Sequence, residues 1–234
     1  MLNIKEFPKD MSSFPIDSSN MKKCLVSGLF RETVEVHGKE RAFYTYITPG
    51  LTYNQPCLII APSDGVQILE FLENGFWEKF AEKENVFLYI LEPNGLWNLD
   101  GTDADYMNQV YIQVQSRKYY VTIQDNIYAF GIGKGASIAQ QAAMKMTSEW
   151  SGLATFGDLE KEALLNASLT QKANSNMGKV ELSISAEKAQ LPVWMAWSAN
   201  TGYNAEVCGY WKKQNDTTNE AFSNADASEI YFPS

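Results

Sequence analysis

The chain has 234 residues, of which 45% are hydrophobic, 13% aromatic and 20% charged. That is enough for one sizeable core and excludes a disordered chain. Its formal net charge of −9 and pI near 4.7 disfavour attraction to nucleic acid or to an anionic membrane surface.

The N-terminal stretch MLNIKEFPKDMSSFPIDSSN carries no uninterrupted apolar run. It lacks the core of a signal peptide, and no segment is long enough to span a bilayer. A cytoplasmic location is expected, or secretion if the sequence is a trimmed form. Residues 1–22 are expected as a loosely packed arm and 23–234 as one domain. Two strands should follow, Leu29 to Val36 and Arg41 to Ile47, with His37-Gly38-Lys39-Glu40 as the turn between them. From there the pattern alternates. Cys57–Ala61 and Val86–Leu91 are short continuous apolar runs, as strands buried on both faces should be. Between them Ile68–Lys83 places Ile68, Leu69, Leu72, Phe76 and Phe80 at helical spacing. Further helices are predicted over Asp103–Lys118, Lys134–Trp150 and Ala205–Gln214. Further strands are predicted over Asn126–Phe130, Ser151–Phe156, Pro192–Trp197 and Glu229–Phe232. Residues 159–190 are polar and read as an insertion. The fold class is therefore α/β, a mostly parallel sheet with a leading antiparallel hairpin and helices on both faces.

Chemistry concentrates at Tyr128-Ala129-Phe130-Gly131-Ile132-Gly133-Lys134-Gly135-Ala136-Ser137, a strand, a glycine-rich turn and a helix. In a nucleophile elbow, G-x-S-x-G, a serine sits on a strained turn that small neighbours permit. The frame here is Gly131-Ile132-Gly133-Lys134-Gly135, with glycine at the serine position. A dinucleotide fingerprint competes: Gly131, Gly133 and Ala136 fit G-x-G-x-x-A. Asp158 follows the next strand as a ribose contact, and Lys134 could add charge at a helix N-terminus. In the plainest alternative the glycines only permit a tight turn and close packing.

This order of elements, with the NIYAFGIGKGAS block and the later LPVWMAW and YWKKQN blocks, resembles the α/β-hydrolase superfamily. Within it the chain is similar to polyhydroxybutyrate depolymerases and feruloyl or acetylxylan esterases. The resemblance implies an ancestral serine esterase and assigns places to its parts. Gly133 stands where the nucleophile would be. Pro62, Ser63 and Asp64 stand in the oxyanion loop, where an aspartate facing the site would repel a developing oxyanion. Asn200 lies in the region of the acid, which here holds no carboxylate. The family's histidine-bearing segment is expected to be absent, because the sequence ends just past its last strand.

The one histidine, His37, lies in the hairpin turn, far in topology from this site, so no Ser-His-Asp set can be assembled. Ser63 and Ser137 are the candidates for a displaced nucleophile. Cys24, Cys57 and Cys208 are widely spaced, which argues against zinc or a disulfide framework. Asp100, Asp103 and Asp105 cluster at a helix start, where capping competes with cation binding. Trp194, Trp197 and Trp211 read as packing ahead of a sugar platform. No metal and no cofactor is expected. The predicted function is that of a degenerate, inactive esterase-like domain. It would bind a small ester or carbohydrate-like ligand, or accompany a catalytic domain. The alternatives are an active carboxylic-ester hydrolase with displaced groups and an NAD(P)-binding protein.

Overall fold

The computed structural model describes residues 2–7, 26–51, 55–115, 126–157, 189–197 and 205–217, with the backbone of two short strands at 222–223 and 230–231. Three strands open the chain: β1 (Ile4–Glu6), β2 (Gly28–Val36) and β3 (Lys39–Ile47). The alternation then runs β4 (Cys57–Ala61), α1 (Ile68–Asn74), α2 (Trp77–Glu84), β5 (Phe87–Leu91), α3 (Thr102–Gln115), β6 (Ile127–Ile132), α4 (Gly135–Lys145), β7 (Gly152–Phe156), β8 (Val193–Ala196) and α5 (Ala205–Gln214). The short strands β9 (Phe222–Ser223) and β10 (Ile230–Tyr231) come last.

Eight strands form one sheet in the order β1-β2-β3-β5-β4-β6-β7-β8. β3 runs antiparallel to both β2 and β5, while β5, β4, β6, β7 and β8 are mutually parallel. The continuous apolar runs follow from burial on both sides. In β5, Phe87, Tyr89 and Leu91 join one core and Leu88 and Ile90 the other; β4 divides the same way. Helices α3, α4 and α5 close the first core, and α1 and α2 pack on the second. α4 is rich in Ala and buried along almost its whole length, so small side chains let it lie close to the sheet.

Several expectations are corrected. The hairpin turn is tighter than expected: His37 and Gly38 both take positive φ, 49° and 73°, as a two-residue turn matched to strand twist requires. Lys39 and Glu40 are already paired with Val36 and Glu35. The predicted helix Ile68–Lys83 is two helices. Its chain breaks at Gly75 and at Phe76, which adopts φ 57° and is exposed instead of lying on the apolar face. The helix after the elbow stops at Lys145 and does not reach Trp150. Strand β6 extends through Gly131 and Ile132, past the Phe130 at which the pattern ends it. Within the arm, Ile4–Glu6 pairs in parallel with Leu29–Arg31, and the Phe7 ring meets Phe30 edge-on at 5.3 Å. The final strand does not join the main sheet: β10 pairs with β9 in a sheet of its own. Most of the 159–190 insertion lies outside the described residues.

Candidate functional site

The parallel strands fix the location of the site. β4 ends at Ala61 opposite Gly131 of β6, so the loop after β4 and the turn after β6 meet at one edge of the sheet. Gly133 lies in that turn with φ +57°, the left-handed conformation that non-glycine residues rarely adopt. Its N–H donates to Phe156 O at 2.8 Å, and its carbonyl accepts the Ala136 N–H at 3.0 Å as α4 begins. The turn thus has the shape of a nucleophile elbow.

Each neighbouring glycine is required by a close approach. A Cβ on Gly131 would stand 2.5 Å from the Ala136 Cα. One on Gly135 would run into the carbonyl oxygens of Ala61 and Pro62, and one on Gly157 would stand 2.8 Å from the Gly133 Cα. Gly131 and Gly135 are therefore used to pack strand, loop and helix together. The space over Gly133 is also taken, because a Cβ built there would lie 2.5 Å from Ser63 Oγ and 3.1 Å from Ser63 Cβ. The Ser63 side chain occupies the place a nucleophile's side chain would start from.

Asp64 does not act as a free carboxylate over the elbow. Its Oδ1 accepts the Trp97 N–H at 2.7 Å, while the Trp97 indole Nε1–H donates to Pro62 O at 2.7 Å. One buried tryptophan therefore clamps the loop at 62–64. Lys134 is half-buried and stands at the N-cap of α4. Ser137 is fully buried in that helix, which withdraws it from solvent and from any substrate approaching the turn. Asn200 and Asp158 lie outside the described residues, so the acid region and the ribose contact have no geometry to report.

No protein-family model and no curated protein sequence matches the chain. Solved structures do match. An S-formylglutathione hydrolase from Agrobacterium tumefaciens aligns over 81% of this chain and 83% of its own, with a TM-score of 0.55 at 14% identity. Dipeptidyl peptidase 4 from Porphyromonas gingivalis aligns over 81% of this chain and 31% of its own, with a TM-score of 0.55 at 9% identity. The chain has the α/β-hydrolase fold. At such low identity the likeness is one of architecture, and it coincides with the strand order and the elbow described above.

On this α/β-hydrolase fold, His37 meets α3 and the last residue of α4, not the elbow turn. β3 pairs antiparallel with β5, Phe43 opposite Leu91, so the hairpin turn projects at the same sheet edge as the elbow, three strand positions away. His37 Nε2 lies 2.9 Å from Asp105 Oδ2, and Lys145 Nζ lies 2.7 Å from Asp105 Oδ1. Beside them is a cavity of about 330 Å³. The other acidic residues have structural work. Asp103 pairs with Arg41 at 2.6 Å and accepts the Asn98 N–H at 2.7 Å. Asp100 accepts from the Thr102 hydroxyl and N–H, and the hydroxyl bond above all holds its carboxyl below the usual range. Among the described residues no group of three or more His, Cys, Asp or Glu is placed to hold a metal, and no helix is long and apolar enough to cross a membrane.

Sequence reasoning missed the Ser63–Gly133 contact and the Trp97 clamp, each of which joins segments more than thirty residues apart. The edge of the sheet at which His37 lies was legible. A His-Gly turn pairing antiparallel with a strand that itself runs parallel to β6 must land at the elbow's edge.

Proposed function

We propose that the chain is a degenerate, esterase-like α/β-hydrolase domain without serine-esterase activity, retained for a binding or accessory role. The observation that carries this is Gly133. The turn keeps the left-handed geometry of an elbow, yet the residue offers no side-chain atom to attack a carbonyl, and Ser63 fills the space above it. Covalent catalysis of that type needs a nucleophile activated by a base and oriented beside an oxyanion pocket. The ligands that fit this reading are small esters or carbohydrate-like molecules approaching the old pocket; a companion catalytic domain is the accessory alternative.

One observation favours a second reading, an active ester hydrolase with displaced groups. The Ser63 hydroxyl lies against the elbow, where the positive end of the α4 dipole favours a developing negative charge. Hydrolysis of p-nitrophenyl acetate and butyrate separates the two. The unmodified chain is expected to give no turnover above buffer, as are Gly133→Ser and the double variant Gly133→Ser with Ser63→Gly, which opens room for the new side chain. Turnover by the unmodified chain that vanishes in Ser63→Ala would replace the first reading with the second.

A further inference from the structure

The sheet ends sideways in two outermost strands, β1 and β8, which are finished differently. β1 is exposed throughout and carries Lys5 and Glu6, the kind of charge that keeps an open strand from pairing with another chain. β8 has no such guard: no charged residue stands between Ala189 and Ala205, in a chain with a net charge of −9. Leu153 N–H donates to Pro192 O and Gly157 N–H to Ala196 O, so the ladder to β7 uses Pro192, Trp194 and Ala196. The N–H and C=O of Val193 and Met195 therefore point to the outer side, where among the described residues nothing pairs with them. The Trp194 side chain stands on the open face of the sheet, 44% exposed. On the opposite face Val193 and Met195 line a cavity of about 430 Å³ together with Cys208 and Trp211 of α5.

We propose that β8 is the pairing surface for a second copy of this chain, joined antiparallel about a two-fold axis at Trp194. A two-fold pair presents the same strand to itself, and an uncharged strand then meets no like charge. With the axis at Trp194, Val193 lies opposite Met195 of the second copy and exchanges both backbone bonds with it. The two Trp194 residues form the close, non-hydrogen-bonded pair. A pairing centred on Val193 would instead set Met195 against Leu191, whose N–H and C=O are already held by Asn215. The cavity gives room for the Val193 and Met195 side chains of the second copy. A strand of 4 residues buries little surface, so the association is weak. The dilute chain is monomeric, and the dimer fills in the micromolar-to-millimolar range. The inference does not rest on the elbow, and it stands whether or not the chain hydrolyses esters.

Sedimentation equilibrium of the full chain across that range is the test, and a reversible monomer–dimer equilibrium is expected. Met195→Pro removes an outward N–H without touching the ladder to β7, as proline on an outer strand allows. It should weaken the dimer by about tenfold or more while circular dichroism stays native. If that variant does not fold, Trp194→Lys takes its place: at an exposed position it sets like charges opposite each other and should weaken the dimer as much. Phe156→Lys alters the same open face one strand inward and should leave the equilibrium unchanged. Trp194→Cys reads the register. With Cα atoms about 4.5 Å apart it should oxidise to a covalent dimer, and Phe156→Cys should not. A chain that stays monomeric throughout overturns the proposal and leaves β8 to a strand of a different protein. It is also overturned if Phe156→Lys dissolves the dimer while Met195→Pro spares it, since the open faces would then be stacked. Absence of the Trp194→Cys cross-link in a chain that dimerises overturns it equally.

Discussion

The two faces of the sheet are finished differently. On the side of α3, α4 and α5, side chains from β3 to β8 disappear into one continuous core. Among the described residues, the cover on the side of α1 and α2 runs out at β6. Phe130 still packs edge-on against Trp77 at 5.4 Å. Beyond it, Tyr128, Phe156 and Trp194 are 37%, 53% and 44% exposed. The register places these rings on one face, Tyr128 opposite Gly152, Ile132 opposite Phe156, and Ala154 opposite Trp194. Parallel strands are usually covered on both faces, so stability here should be carried mainly by one side of the sheet.

The largest effect should come from opening the sealed side. The Tyr111 ring packs tilted against Trp150 with centroids 4.8 Å apart, and its hydroxyl donates to Glu149 O at 2.8 Å. Tyr111→Ala is expected to cost about 3–5 kcal/mol in urea unfolding. Next comes the pair that ties the hairpin to α3. Asp103→Ala leaves the mostly buried Arg41 without its carboxylate and should cost about 3 kcal/mol, read from the thermal midpoint. A loss below about 1 kcal/mol in both would break the contrast between the faces. Gly133→Ala tests the elbow itself. The positive φ and the contact with Ser63 Oγ should cost about 1–3 kcal/mol, and Ser63→Gly in the same chain should recover part of it.

Smaller again is a pH effect on the α1–α2 side. Burial first, then the nearby Glu78 and Glu82, push the Tyr46 phenol up to about 12. In the unfolded chain that phenol ionises near its ordinary value of 10.0, so the unfolded state loses its proton first. The contribution is intact below pH 10 and is lost between pH 10 and 12. The thermal midpoint should fall over that window, and less steeply in Tyr46→Phe; equal slopes would contradict the assignment. The smallest effect belongs to the open rings. Phe156→Ser and Trp194→Ser should each stay within about 0.5 kcal/mol of the parent. A larger loss would mean that this face is covered in solution.

The elements that repeat a local pattern were legible in the sequence. Two-sided burial writes itself as an unbroken apolar run, so β4 and β5 could be read without partners, and the strand–glycine–helix order located the elbow. Contacts between distant segments were not legible. Ser63 over Gly133 depends on β4 and β6 being neighbours although α1, α2, β5 and α3 intervene. The break at Phe76 escaped because its side chain kept helical spacing while the backbone did not. The fate of the last strand was hidden for the same reason: Glu229–Phe232 has the composition of a strand, but composition does not say which sheet it joins. Asn200, in the region where the resemblance places the acid, falls outside the described residues.

The position of β4 also has a consequence for how the chain is made. The β2–β3 hairpin closes on a two-residue turn and can zip within microseconds of leaving the ribosome. β4 cannot, because one of its neighbours, β6, begins only at Ile127. At about 5–20 residues per second, the edge of β4 that β6 will fill waits on the order of seconds during synthesis. That interval is when the nascent chain is most open to pairing with the wrong strand, and when a chaperone has the most to protect.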